Sequence, residues 1–257
     1  MITRRAEGEA RPTPLLFVHG AWHGGWCWEE HFLPFFAEHG YESHALDLRG
    51  HGASENRRSL RFTGIAAYVA DVERVVDALD TAPVLLGHSM GGLVVQRYLE
   101  NRSAPAAVLL APDPVGGVWR ATARVARRHP VAFIKANTTM RLWPIVATPD
   151  LARDAFFAAD MPEAETDRYW SRLQDESYRA YLEMLLRPPR PERIRVPILV
   201  IGAGEDRLFG PEEIRRTARA YGGAPVMIPG AGHDLMLDPR WEQAARAILE
   251  WLGGHGL

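Results

Sequence analysis

Ser89 stands between glycines in Gly87-His88-Ser89-Met90-Gly91-Gly92, and two other segments carry residues that could complete its chemistry. A serine hydroxyl is a weak nucleophile at neutral pH until a neighbouring base takes its proton. The run Pro83-Val84-Leu85-Leu86 before it reads as a buried strand, and Leu93 to Leu99 behind it as a helix. Strand, sharp turn and helix is the context in which Gly-x-Ser-x-Gly presents an exposed hydroxyl. Flanking glycines let the serine hold a strained backbone, and the helix N-terminus beneath favours developing negative charge. His233, in Gly230-Ala231-Gly232-His233, follows the short apolar run Pro225 to Ile228. Asp206 follows another, Val196 to Ile201. His233 would act as the base, and Asp206 would hold the imidazole in the right tautomer and stabilise its protonated form. Asp113 also follows an apolar run, Ala106 to Leu110, and is the alternative acid. Asp206 is favoured because its strand immediately precedes that of His233. Asp234 adjoins the histidine and is expected to point elsewhere.

These groups need a scaffold that brings strand ends together. Leu15-Leu16-Phe17-Val18 is a continuous apolar run, as in a strand buried on both faces. It opens into His19-Gly20-Ala21-Trp22-His23-Gly24-Gly25-Trp26-Cys27-Trp28. If this strand lies beside the one leading to Ser89, the backbone N–H groups of Ala21 and Met90 form an oxyanion hole. One such donor is worth roughly 2.7–4 kcal/mol in the transition state. His19 and His23 lie in a glycine-rich loop without the Glu of a helical zinc motif, so both read as loop-shaping residues. Asp47 and His51 read as a turn-stabilising carboxylate and a loop histidine. Gly202-Ala203-Gly204 is no dinucleotide fingerprint, because Arg207 takes the place of the third glycine.

The remaining patterning predicts an α/β fold: a mostly parallel sheet flanked by helices. Helices are expected over 29–39, capped by Gly40, and over 68–80, 211–221 and 239–252, with a strand over 41–48. The first dozen residues are polar and expected to be poorly ordered. Residues 113–191 contain no clear buried strand but carry helical patches rich in large apolar residues. They predict a helical lid inserted into a core formed by 13–112 and 192–257, with Arg187-Pro188-Pro189-Arg190-Pro191 forcing an extended return.

A chain of 257 residues with 47% hydrophobic and 24% charged residues can bury one sizeable core. A net charge of −2 gives no reason to expect nucleic acid. The single lysine, Lys135, reads as compositional bias towards arginine. Cys27 is the only cysteine, which excludes an intramolecular disulfide and a cysteine zinc framework. No apolar run is long enough to span a membrane, and the N-terminal stretch lacks the apolar region of a secretory signal. The expectation is a cytoplasmic enzyme with a small-molecule substrate and neither metal nor cofactor.

From Leu15 onward the chain resembles α/β-hydrolase-fold serine hydrolases, whose triad runs in the order Ser, Asp, His. The string from His19 to Trp28 resembles the methylesterase and hydroxynitrile lyase branch, as does the expected lack of strands before Leu15. Gly87-His88-Ser89-Met90-Gly91-Gly92 resembles bacterial esterases, monoacylglycerol lipases and cofactor-free perhydrolases. The resemblance implies fold, triad, oxyanion hole and lid. Hydroxynitrile lyases of this branch carry Thr and Lys where this chain has Gly20 and Asp234, which argues against lyase chemistry. Family members with an Asp nucleophile are set aside by Ser89. A carboxylic ester hydrolase working through an acyl-serine is expected. Thioester or carbon–carbon cleavage, perhydrolysis, or ligand binding on an idle scaffold are the alternatives.

Overall fold

The computed structural model describes residues 1–55 and 59–257. Seven strands form one sheet: β1 Ile2–Arg4, β2 Leu15–Val18, β3 Ser43–Leu46, β4 Val84–His88, β5 Ala107–Leu110, β6 Ile198–Ala203 and β7 Val226–Ile228. Their spatial order is β1-β3-β2-β4-β5-β6-β7, parallel throughout except at β1. β2, β4 and β5 are wholly buried, which is why they read as continuous apolar runs rather than alternating ones. The register sets Val18 beside Gly87, His88 beside Leu110, and Ala203 beside Ile228. The loops that follow β2, β4, β5, β6 and β7 therefore all leave from one edge of the sheet.

The N-terminus departs from expectation. β1 pairs antiparallel with β3, Ile2 opposite Ala45, so a strand does precede the His-Gly strand. Three residues with one half-buried side chain leave almost no period to read; the pairing comes from the β3 edge, which would otherwise be open.

Around the sheet lie helices α1 Trp26–Glu29, α2 Phe32–Glu38, α3 Ile65–Val76 and α4 Met90–Leu99. The helix expected over 29–39 is thus two short ones, and that expected over 68–80 begins and ends earlier. Gly40 closes α2: the Gly40 and Tyr41 N–H groups return to the Ala37 and Phe36 carbonyls. On one face of the sheet Phe17 packs on Trp28, Phe32 and Phe36 with ring centroids 5.1, 6.3 and 5.8 Å away. Such aromatic pairs add about 0.5–1.5 kcal/mol each beyond the area they bury.

Between β5 and β6 come α5 Trp119–Arg128, α6 Pro130–Thr139, α7 Pro149–Phe156, α8 Glu163–Trp170 and α9 Tyr178–Leu186. Residues 174–177 tie this helical stretch to the rest. The Gln174 N–H donates to the Trp22 carbonyl, Tyr68 Oη donates to Glu176 Oε1 at 2.6 Å, and Ser177 Oγ donates to the Thr63 carbonyl. His51 Nε2 lies 3.0 Å from Glu176 Oε2, both fully buried. α10 Pro211–Ala220 and α11 Trp241–Gly254 complete the layers, close to their expected positions. No described helix is long and apolar enough to cross a membrane.

Candidate active site

Ser89 follows β4 directly and has φ +50° and ψ −121°, a conformation costly for a side chain with a Cβ. The turn is too tight for anything but glycine two positions to either side of it. A Cβ on Gly87 would lie 2.5 Å from the Gly91 carbonyl oxygen, and one on Gly91 only 2.3 Å from that of Val18. Ser89 is held by its own N–H, which donates to the Leu110 carbonyl, and by its carbonyl, which accepts from the Asp113 N–H.

His233 and Asp206 meet as the strand order anticipates. Asp206 Oδ2 accepts from His233 Nδ1 at 2.7 Å. Asp206 Oδ1 takes the Leu208 and Phe209 N–H groups at 2.7 and 2.9 Å, so this carboxyl accepts in each of these bonds. With Nδ1–H committed to Asp206, Nε2 is the nitrogen left to act as base. Burial lowers the His233 pKa, but the Asp206 carboxylate, with Asp234 and Asp113, outweighs burial and the net shift is upward. Phe156 stacks along the ring and Phe209 meets it edge-on.

The strand-end loops pack on one another through histidines. His88, beside Ser89, donates from Nε2 to the His233 carbonyl at 3.1 Å, and the two rings are 4.8 Å apart. Burial, then the His233 charge, drives the His88 pKa down to about 3, so it is neutral. A Cβ on Gly20 would fall 2.8 Å from His88 Nδ1 and 3.1 Å from Ser89 Cβ, so no larger residue fits there without moving this pair. His19 Nε2 accepts the Leu48 N–H at 3.1 Å, which makes Nδ1 the donor to the Gly20 carbonyl at 2.8 Å. That bond fixes the Gly20–Ala21 peptide, the one whose N–H belongs to Ala21. Among the described residues neither the Ala21 nor the Met90 N–H donates to a backbone carbonyl. Met90 is the first residue of α4, where helix N–H groups have no internal partner.

Asp234 does point away from Asp206, into a second buried pair that the sequence did not reveal. Its Oδ2 lies 3.0 Å from His23 Nε2, and its Oδ1 is 3.6 Å from His88 Nε2. His23 Nδ1 reaches the Ala21 carbonyl at 2.8 Å. The loop carrying His233 is thereby joined to the loop carrying Ala21. Asp47 is a turn carboxylate as read, accepting from the Gly25 and Ala53 N–H groups.

Among the described residues the one buried group with metal-ligand types is His88, His233 and Asp234, whose ligand atoms lie within 4.8 Å of one another. Its donors are engaged otherwise: His88 Nε2 with the His233 carbonyl, His233 Nδ1 with Asp206. The set fits a hydrogen-bond network better than a cation.

Asp113 is fully buried and neither carboxyl oxygen has a hydrogen-bond partner. Burial pushes its pKa up to about 7, against the pull of His233. The folded state therefore holds a proton that the unfolded state gives up, and stability falls as pH rises from the ordinary carboxylate value through 7. Asp113→Asn should abolish this fall. Urea unfolding at about pH 5 and pH 8 checks it: the variant should gain on wild type at the higher pH.

Ser89 opens into a cavity of about 90 Å³. Ala21, Trp22, Leu208 and Phe209 line it from the core, and Val118, Val125, Phe133, Ile145 and Met184 from the helices between β5 and β6. Of its polar lining side chains, Asn137 accepts from Tyr178 Oη and donates to the Phe133 carbonyl, Tyr181 Oη donates to Thr122 Oγ1, and the Trp22 indole N–H has no hydrogen-bond partner. No charged side chain lines it.

A model of the alpha/beta hydrolase family matches residues 15–247. The chain belongs to that family. BpoC of Mycobacterium tuberculosis, which carries the name of a non-heme bromoperoxidase, is 27% identical over 251 residues, 91% of each chain. Phospholipase YtpA of Bacillus subtilis is 26% identical, covering 92% of this chain and 94% of its own. Methylesterase 18 of Arabidopsis thaliana is 25% identical, covering 77% and 81%. The solved monoacylglycerol lipase of Paleococcus ferrophilus superposes with a TM-score of 0.73 over 99% of this chain and 100% of its own; at 24% identity this supports the fold alone.

Proposed function

We propose that this α/β hydrolase cleaves carboxylic esters of small to medium apolar substrates through an acyl-Ser89 intermediate. The observation that carries the reading is the Asp206–His233 hydrogen bond, on loops that leave the same end of the sheet as the strained Ser89, with Ser89 lining a cavity free of charged side chains. His233 Nε2 takes the Ser89 proton as Oγ attacks the ester carbonyl, and the N–H groups of Ala21 and Met90 receive the oxyanion. His233 then protonates the leaving alcohol, and afterwards takes a proton from water, whose oxygen releases the acid and restores Ser89. The cavity lining selects for an apolar acyl or alkoxy group, because a charged one would lose its hydration with no partner to replace it. Helices α5 to α9 serve as the lid over this cavity. The names of the methylesterase and phospholipase relatives agree with ester cleavage.

The test is intact mass after exposure to a fluorophosphonate, for wild type and Ser89→Ala. One adduct on wild type and none on the variant is expected. An unmodified, folded wild type would overturn the reading in favour of ligand binding on the scaffold. The bromoperoxidase-named relative favours one second reading: hydrogen peroxide in place of water would turn the same acyl-serine into a peracid. Peracid formation from a short-chain acid and peroxide, lost in Ser89→Ala, would establish it.

A further inference from the structure

The helices that line the cavity turn an unusual face outward. Residues 114–149 contain Arg120, Arg124, Arg127, Arg128, Lys135 and Arg141 but no Asp or Glu, within a chain whose net charge is −2. Arg124, Arg128 and Arg141 pair with Glu213, Asp154 and Asp175. Arg120, Arg127 and Lys135 meet no carboxylate among the described residues; Arg120 lies over the Trp119 ring, 5.1 Å from its centroid, and Arg127 reaches only the Ala123 carbonyl. Large apolar side chains stand exposed among these cations: Trp119 at 55%, Val131 at 78%, Ile134 at 61%.

The two sets share a surface. On α6, Val131, Ile134, Lys135 and Thr138 recur at the spacing of one helix face, while Ala136 and Asn137 face the cavity. Val131 and Lys135 line one shallow depression with Arg128, Pro144 and Leu151. On α5, Arg120 and Arg127 are seven residues apart and so on one side, while Ala121 and Val125 face the cavity.

We propose that the outer face of the α5–α6 hairpin docks on an anionic lipid surface. Exposed apolar residues flanked by unpaired Arg and Lys, with a Trp at the edge, suit the boundary between headgroups and acyl chains. Charge decides against the rival occupant, a second copy of this chain. A two-fold contact through this face would set the unpaired Arg120, Arg127 and Lys135 of one copy against those of the other. An anionic bilayer supplies the opposite charge. Docked there, the hairpin holds the cavity lined by its inner face next to the phase in which apolar molecules concentrate.

Vesicle flotation tests this without turnover, so the result does not depend on whether Ser89 is a nucleophile. Ser89→Ala protein is mixed with phosphatidylcholine vesicles, with or without phosphatidylglycerol. Co-flotation with the phosphatidylglycerol vesicles only, weakened by salt, is expected. The triple variant Arg120→Gln, Arg127→Gln, Lys135→Gln should bind roughly a hundredfold more weakly, at about 1 kcal/mol per cation. Val131→Ser with Ile134→Ser should lose at least about tenfold. In an active background both variants should cleave a water-soluble ester as wild type does, which shows them folded. Absence of flotation with anionic vesicles would overturn the proposal, as would equal binding to neutral vesicles. A dimer abolished by the Val131 and Ile134 changes, without lipid binding, would overturn it in favour of self-association.

Discussion

Asp206→Asn should lower kcat by about 10,000-fold while leaving the fold intact. The asparagine oxygen can still accept the Leu208 and Phe209 N–H groups that Oδ1 accepts now, so the loop keeps its main anchors. What changes is the partner of His233. An amide facing Nδ1 donates rather than accepts and drives the proton to Nε2, the nitrogen that must be free to take the Ser89 proton. The upward pull of the carboxylate on the His233 pKa also disappears, so the base weakens. Steady-state kinetics on a chromogenic ester, with circular dichroism as the control, checks both parts. In wild type the sign of the pH dependence follows from the raised pKa: activity needs neutral His233 and falls as pH drops through that value. A loss below tenfold in Asp206→Asn would move the orienting role elsewhere. Asp113 would be the candidate, and the double variant Asp206→Asn, Asp113→Asn would then lose what the single one kept.

Asp234→Asn should cost about 1–3 kcal/mol of stability, the usual result of disturbing a buried hydrogen bond to a carboxylate. Asp234 and His23 are both shielded from solvent, so His23 Nε2 would be left facing a neutral amide. Burial pushes the Asp234 pKa up, but His23, His88 and His233 together outweigh it and hold it below the usual carboxylate range. Such a group adds stability above the unfolded-state pKa and loses it as pH falls through the folded-state one. The gap between wild type and Asp234→Asn should therefore be full at neutral pH and shrink in acid. Urea unfolding across that range measures it, and a double-mutant cycle with His23→Ala isolates the pair. Additive losses in that cycle would show that the two residues act separately. Because the pair joins the loops of Ala21 and His233, the variant should also lose kcat at temperatures where it remains folded.

The two changes differ in kind. In the proposed mechanism Asp206 serves the reaction and is anchored by backbone donors of its own loop, whereas Asp234 joins two loops 211 residues apart in sequence. A structural screen alone would find the second and miss the first; an activity screen at low temperature would do the reverse.

Local sterics and hydrophobic periodicity made much of this protein legible from its sequence. Buried parallel strands need apolar residues on both faces, so β2, β4, β5 and β6 announced themselves as continuous runs. The elbow did so through Gly87 and Gly91, where backbone approaches leave no room for a Cβ. Strand order along the chain was enough to nominate Ser89, Asp206 and His233. Tertiary structure decided the rest, because each remaining feature depends on groups far apart in sequence. It brought His233 to the Asp206 carboxylate and left the Asp113 carboxyl buried without a hydrogen bond. It turned Asp234 from a bystander into the partner of His23. It formed β1, whose three residues take their order from the β3 edge. It also sorted α5 and α6 into an inner, cavity-lining side and an outer, cationic one, which a list of arginines cannot do until the helices are packed.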